Sequence, residues 1–600
     1  PVTQVYTWNH DGLDDFEPAR KAFMAPLIAG SVVPTKSVNN DQRAIKARIT
    51  DLASNHVPDP RASQLIKEFV TLFAADLLNG AHTLYPVDEE EVSRNQSRPS
   101  QQRILEEAAT TTKYSDKPQV LGFMKAESYQ EAKDPRFIST IEAPVKAEFS
   151  RYVYAIAHAV KEMTERTGEN WYAFGITPRT VSERVAKLGL NALEDILMAD
   201  AKRQDGHVVK IVREEFEASL LAHLFPDYRE VLGLHSKVYN AKGTTRLLMA
   251  CLLEIVRFST GYSRSSGDPA TSKSNTDLTM LVHFVGFRLD GMEPKEAYTA
   301  VLERGIYGGD DSLCRDGPKD IVLAGKILGQ VIVPERAEVG SFDPANPVNF
   351  LSRMYGPELW YGDGNSCCDI KRQAVKVHLA GTIRADEKWE KLREKATALV
   401  YTDGDTPFLG TWARNVLTIL SKQRIAFPNN LNLKSASKDV SWWARNFDRS
   451  EQFINVRDDW MIDVLYASLP SFSHDLFNYW MEECSHEPVL LFNCPGLGGE
   501  VVYETVGFRG VITIGDDEVL AGADDLDGDP DDTRTSDEES EDEQPAPKKV
   551  EGVGAALDKG VCHAFQSGNC KRKDCKYAHV QVCRAFQKGK CERRNCKYTH

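Results

Sequence analysis

From residue 1 to about 520 the chain alternates helical and strand-like apolar spacing without a low-complexity break. Three stretches carry polar residues that a plain structural element would not need. At Ile306-Tyr-Gly-Gly-Asp310-Asp311-Ser-Leu, an apolar and an aromatic residue run into two glycines and two acids before apolar residues resume. That pattern predicts strand, tight turn and strand, with two carboxylates at the tip. At Ile196-Leu-Met-Ala-Asp200-Ala-Lys-Arg-Gln-Asp205, an apolar strand ends on one acid and a second follows on the next turn. At Ser266-Gly267-Asp268-Pro-Ala-Thr271-Ser-Lys-Ser-Asn275-Thr-Asp277, a glycine-containing loop enters a helix. The first N–H groups of such a helix are available to phosphate or ribose. The plainer alternative is a well-capped helix start, with Asp268, Lys273 and Asp277 as cap and solvated charges. Nowhere do 18 apolar residues run together, so the sequence contains no membrane-spanning helix.

Composition changes the picture only beyond residue 522. The whole chain, 600 residues with 42% hydrophobic and 27% charged, is too long for one core and otherwise ordinary for a soluble globular protein. Its net charge of −15 is unevenly spread. Residues 523–543 hold twelve acids against Arg534 alone, whereas 545–600 carry +9. A channel lined with Lys and Arg is compatible with an acidic exterior, so the net charge excludes little. The acidic stretch has almost nothing apolar to bury and is expected to be a disordered linker over 523–555.

Six of the twelve cysteines fall in the last 39 residues, in a tandem repeat. Cys562, Cys570, Cys575 and His579 recur 21 residues later as Cys583, Cys591, Cys596 and His600. Eleven of the eighteen repeat positions are identical. Three thiolates and one imidazole complete a tetrahedral Zn²⁺ site with no open position, so two structural zinc ions are expected over 556–600. The remaining cysteines are scattered and read as reduced thiols.

Taken together and in this order, Asp-x4-Asp, Ser-Gly-x3-Thr-x3-Asn and Gly-Asp-Asp resemble motifs A, B and C of viral RNA-dependent RNA polymerases. Phe123-Met-Lys125-Ala-Glu127 through Lys133-Asp-Pro-Arg136 looks like the basic motif F, and Val348-Asn-Phe-Leu-Ser-Arg353 like motif E. The Asp-Ala-x-Arg-x-Asp-x-His-Val form of motif A, Trp171-Tyr-Ala-Phe-Gly-Ile-Thr-Pro-Arg179 and Lys21-Ala-Phe-Met-Ala-Pro-Leu-Ile-Ala-Gly resemble the nodavirus replicase. The C-terminal repeat resembles CCCH fingers of the muscleblind type.

This resemblance implies an α+β right-hand fold with an antiparallel palm sheet. Fingers would occupy 1–190, palm 191–375 with a fingers insertion between motifs A and B, and thumb 376–522. It implies RNA-templated RNA synthesis with NTPs as substrates and two Mg²⁺ (or Mn²⁺) ions held by Asp200, Asp310 and Asp311. Asp205 and Asn275, helped by Ser266 in a loop with Gly267 and Thr271, would meet the ribose. Lys125, Lys133 and Arg136 would hold the triphosphate. In the fingers, Phe565, Tyr577, Phe586 and Tyr598 would stack on single-stranded RNA, although Phe565 and Phe586 serve equally well as packing around zinc. His207 reads as a hydrogen-bonded histidine, and Trp442, Trp443 and Trp460 as thumb core. The segment 324–336, where motif D is expected, offers Lys326 inside a helix and Arg336 beyond it, and its general acid is left unassigned.

Nodaviral replicases also carry a membrane-anchored N-terminal region with a capping-type domain. That region is not in this sequence and residue 1 is Pro, so the chain is expected to be a fragment of something longer. The expected setting is the host cytoplasm, within membrane-associated replication complexes and with other replication proteins as partners. Two rivals remain. A reverse transcriptase would normally place an aromatic residue at position 205 and end its motif aromatic-x-Asp-Asp. An RNA-binding protein with a degenerate palm would not keep all the palm acids.

Overall fold

The computed structural model describes residues 4–8, 20–34, 38–52, 56–96, 99–110, 118–131, 133–239, 241–249, 252–380, 387–422 and 449–497. All lie in the first of two compact units, 1–540 and 541–600. The acidic stretch, the Cys/His repeat with its zinc ligands and aromatics, Trp442 and Trp443 lie outside the described residues.

In chain order the first seven strands are β1 (Gln4–Trp8), β2 (Lys21–Ala22), β3 (Gln119–Met124), β4 (Phe137–Ile141), β5 (Asp195–Ala201), β6 (Lys242–Met249) and β7 (Leu252–Ser259). The rest are β8 (Gly305–Gly308), β9 (Asp311–Arg315), β10 (Ile332–Glu338), β11 (Asn349–Phe350), β12 (Arg353–Tyr355), β13 (Ser366–Cys368) and β14 (Leu379–Ala380). They form a mixed α/β architecture with several sheets. A four-stranded sheet, ordered β10-β5-β9-β8, is antiparallel throughout. A five-stranded sheet, β1-β7-β6-β3-β4, contains one parallel pair, β3 with β6. A three-stranded sheet joins β11, β12 and β13, and β14 pairs with β2.

The continuous apolar run of β5 follows from its place at the centre of the four-stranded sheet. Leu197, Ala199 and Ala201 enter the large core that also holds the helix Thr271–Leu289. The alternate residues Ile196 and Met198 enter a second core with Val181, Val185 and Leu188 of the helix Pro178–Leu190. With both faces covered, a strand has no reason to alternate apolar and polar residues.

The helix Thr271–Leu289 is buried almost along its whole length, so its polar residues must be satisfied internally. Thr276, Thr279 and His283 form one stripe aimed at the sheet. Thr276 Oγ1 accepts from Gly309 N at 2.9 Å, Thr279 Oγ1 donates to Gly309 O at 2.7 Å, and His283 Nε2 lies 3.0 Å from Ser312 Oγ. The β8–β9 turn is thereby fastened to the helix beneath it.

A third core gathers the C-terminal helices Lys388–Asp403, Leu409–Lys422, Trp460–Ser468 and His474–His486. Trp460 is buried there, as the thumb-core reading expects. Met24, Leu27 and Ile28 belong to the same core, with Ala25 N donating to Phe492 O at 2.8 Å. A segment placed with the fingers by its position in sequence thus packs with residues beyond 376. Among the described residues, no helix is long and apolar enough to cross a membrane. Cys314, Cys367, Cys368 and Cys484 are buried and outside any disulfide.

Candidate active site

Strand register sets two of the predicted acids opposite one another. Asp200 of β5 is the direct cross-strand partner of Asp311 of β9, and Ala201 N donates to Asp310 O at 2.9 Å. Residues opposite one another in an antiparallel pair share a face, with Cβ atoms about 5 Å apart. The β8–β9 connection is the two-residue turn Gly309–Asp310, with Gly309 at φ +71°. Glycine meets that backbone requirement without strain.

Burial raises the Asp310 carboxyl, and the neighbouring Asp205 charge adds to the rise while the Arg136 and Arg48 guanidinium groups oppose it. Burial likewise pushes Asp311 up to about 7; the Asp310 charge adds to this and hydrogen bonding from Leu351 N–H opposes it. That bond, from Leu351 N to Asp311 Oδ2 at 2.6 Å, ties the acid to the β11–β12 hairpin. Leu351 and Ser352 at its tip both have positive φ, 52° and 59°. Non-glycine residues held this way cost roughly 1–3 kcal/mol each and mark a backbone fixed by its surroundings.

Crowded carboxylates with raised affinity for protons suit a hard divalent cation, which relieves the same repulsion. Among the described residues, no group of three or more His, Cys, Asp or Glu side chains already forms a site that could hold a metal ion. Two or three aspartates of this kind match the ligation Mg²⁺ accepts when water and phosphate oxygens supply the rest. The donor set therefore fits.

A second cluster adjoins the first. Asn275 Nδ2 donates to Asp205 Oδ1 at 2.8 Å, joining the turn after β5 to the start of the helix Thr271–Leu289. Arg264 Nε donates to Asn275 Oδ1 at 2.6 Å, and Arg264 Nη2 to Glu217 Oε1 at 2.5 Å. Glu217 also receives Arg213 Nη1 at 2.9 Å and faces His235 Nε2 at 2.8 Å. Burial alone would raise Glu217, but Arg213 and Arg264 outweigh it and hold the carboxyl well below its ordinary value.

The loop residues predicted beside the ribose serve the backbone here. Ser266 Oγ accepts from Ser139 N at 3.1 Å, and Thr271 Oγ1 donates to Ser265 O and Asp268 O at 2.9 Å. Gly267 N donates to Ser139 O at 2.7 Å, and a Cβ on Gly267 would stand 2.6 Å from that carbonyl. Gly267→Ala is therefore expected to displace the loop from β4 at a cost of about 1–3 kcal/mol. A thermal melt checks this, and an unchanged melting temperature would show that the contact is slack.

The basic residues surround a small cavity. Lys133, Arg136, Arg372 and Lys376 line it together with Glu127, Ser128, Tyr129, Gln130 and Val375. Lys125 lies beside it, 3.1 Å from Glu127, which Arg136 also approaches at 3.7 Å. Lys125 N donates to Arg136 O and Arg136 N to Tyr129 Oη, so the loop between β3 and β4 is closed on itself.

Two readings of the sequence need correction or closure. Lys273 and Asp277, expected to be solvated, are buried and paired with each other, and Asp268 is buried as well, capping Ala270 N. Arg336 is bound to Asp195 at 2.8 Å, at the end of β5 away from Asp200, so it is poorly placed to serve the acids. His207 is hydrogen-bonded as expected, Nδ1 lying 2.9 Å from Lys202 O. Arg264, Glu217, Arg213, Arg48 and Arg372 were not identified from sequence. The only local signal was Arg264, two residues ahead of Ser266.

The site is thus an aspartate group on paired strands, facing a cationic loop, with a hydrogen-bonded Asp/Asn pair beside it. Carboxylates and basic side chains grouped in this way can engage a divalent cation and phosphate oxygens. The chain is similar to the RNA-directed RNA polymerases of Pariacoto virus (25% identical over 426 residues, 70% of this chain and 40% of that protein) and Striped jack nervous necrosis virus (26% over 449 residues, 72% and 41%). It is similar also to that of Macrobrachium rosenbergii nodavirus, at 24% over 319 residues. The chain spans about 40% of the length of the first two relatives. No family model matches it.

Proposed function

We propose that this chain is the RNA-dependent RNA polymerase portion of a nodavirus-like replicase, built as fingers, palm and thumb. The observation that carries the reading is the register pairing of Asp200 with Asp311 beside a Gly-Asp-Asp turn. Likeness to named RNA-directed RNA polymerases over most of this chain supports it.

In this reading Asp200 and Asp310 would hold a pair of divalent cations, with Asp311 assisting. The chemistry such a pair supplies when bound is activation of the attacking 3′-hydroxyl and neutralisation of charge at the leaving pyrophosphate. The protein's own part is positioning, as in other phosphoryl transfers. Arg136, Lys133 and Lys125 hold the triphosphate, and Arg372 and Lys376 complete the same cationic lining. Asp205 and Asn275 meet the 2′-hydroxyl. A site whose polar groups need that hydroxyl rejects a sugar lacking it. The β11–β12 hairpin supports the primer end and steadies Asp311 through Leu351.

The C-terminal repeat, as two structural zinc modules, would add a second grip on single-stranded RNA. Lys571, Arg572, Lys573, Lys576, Arg593, Arg594 and Lys597 would supply phosphate contacts there.

Primer extension on an RNA template tests the whole reading. Incorporation of NTPs is expected with Mg²⁺ and none after chelation. Preference for dNTPs would favour a reverse transcriptase, and absence of synthesis with RNA binding retained would favour an inactive polymerase.

A further inference from the structure

Behind Asp205 lies a buried chain of charges to which no role has been given. An asparagine amide carries donors on one side and an acceptor on the other, and nothing within the side chain fixes which way it turns. In this fold Arg264 Nε donates to Asn275 Oδ1 at 2.6 Å, which leaves Nδ2 to reach Asp205 Oδ1 at 2.8 Å. Arg264 is in turn fixed by Glu217 at 2.5 Å, and Glu217 by Arg213 and His235. Arg213 also donates to the carbonyls of Tyr262 and Ser263, the residues just before Arg264. The side chains of Arg264 and Arg213 are 0% and 1% exposed. Glu217 closes a π-helical turn, Val212–Glu217, a local widening of the helix that is common at functional sites.

We propose that Arg264, locked by Glu217, is a positioning residue for 2′-hydroxyl selection. It sets the direction of the Asn275 amide, which engages one Asp205 oxygen and leaves the other to accept from the sugar. This rests on the reading that Asp205 and Asn275 face the ribose. Loss of the lock lets the amide turn and puts a second acceptor beside the carboxylate. A ribonucleotide then loses its designed partner, whereas a deoxynucleotide had none to lose.

The test is Arg264→Lys, which keeps the charge and the buried stem but has no fork to serve Asn275 and Glu217 together. The readout is kcat/KM for NTPs and for 2′-dNTPs on a primed RNA template with Mg²⁺, with a thermal melt on the same sample. Selectivity for NTPs is expected to fall about tenfold, through loss on NTPs with dNTP incorporation nearly unchanged. Equal losses on both nucleotides would reduce Arg264 to a structural role and overturn the proposal. Because an altered buried charge can unfold the loop, the second variant is Arg264→Met, which removes the guanidinium while Glu217 stays paired with Arg213 and His235. This variant, assayed below its own measured melt, is expected to show the same loss of selectivity; retained selectivity overturns the proposal. Wild-type protein that incorporates no NTP overturns the polymerase reading and this one with it. Wild-type preference for NTPs matched by Arg264→Lys overturns the positioning role alone.

Discussion

Alanine at position 310 is expected to lower nucleotide incorporation by about a thousandfold or more, with the fold intact. Cation stabilisation of a phosphoryl transfer is worth several kcal/mol, and each 1.36 kcal/mol is about tenfold in rate. The part of Asp310 that holds the turn is its backbone, through Ala201 N, and alanine keeps that bond. Its side chain adds repulsion, since Asp310 crowds Asp311 and feels Asp205. Removing one of three crowded acids should leave the melting temperature of the cation-free protein unchanged or raise it, the usual conflict between stability and function. Asp310→Asn should behave alike, because a neutral amide is a poor Mg²⁺ ligand. Asp311→Ala differs in kind: it also frees the Leu351 N–H, so it should lose activity and loosen the hairpin together. Primer extension with a melt on the same preparations separates these cases. Activity within tenfold of wild type for Asp310→Ala would remove the metal assignment.

The legible part of the molecule was the part whose signal is local. An apolar run ending on Asp200, and a Gly-Gly-Asp-Asp turn between apolar segments, each announce strand or hairpin by themselves. Once both are strands of one sheet, the pleat leaves few registers open. The observed one places Asp200 opposite Asp311. The His207 hydrogen bonds and the Trp460 core position likewise followed from ordinary behaviour of those residue types.

What the sequence hid was long-range. Lys273 and Asp277 sit at helical spacing, and nothing nearby says that their helix is covered on every side. Their burial depends on the helix lying between the sheet and Phe73, over whose ring Lys273 rests at 5.8 Å. Glu217 reaches Arg264 across 47 residues through a π turn, and single-sequence periodicity assumes a regular helix. Met24, Leu27 and Ile28 join a core built from residues some 350 positions away, where any division made along the chain separates them. Arg48 acts on Asp310 and Arg372 on Asp311 from segments far apart in the chain, and no spacing rule links either to the acids.

The largest effect on stability is expected at the pair formed by Arg353 and Asp403, and the reason connects it to the site. Arg353 opens β12, two residues from Leu351. Its Nη1 donates to Asp403 Oδ1 at 2.7 Å, its Nη2 to Ser366 O at 3.0 Å, and its guanidinium lies 4.4 Å over the Phe453 ring. Asp403 also accepts from Cys368 N and Thr406 Oγ1, each at 2.9 Å. Both side chains are buried, so Asp403→Ala would strand a guanidinium in the interior at about 3–5 kcal/mol. Replacing both, as Arg353→Met with Asp403→Leu, should cost less than Asp403→Ala alone, because no charge is left behind. Burial by itself would raise the Asp403 carboxyl; Arg353 and the hydrogen bonds outweigh it and hold the group below the ordinary carboxylate range. A lowered folded value means the pair's contribution is complete above the unfolded carboxylate pKa of about 3.9 and fades as pH falls through the folded one. Denaturant midpoints should therefore separate wild type from Asp403→Asn widely at pH 7, and the gap should narrow as pH falls below about 4. A gap that stays constant with pH would mean that the carboxylate charge contributes nothing there. Because Arg353 anchors the hairpin whose tip residue Leu351 holds Asp311, loss of the pair should also slow incorporation at temperatures where the protein is still folded.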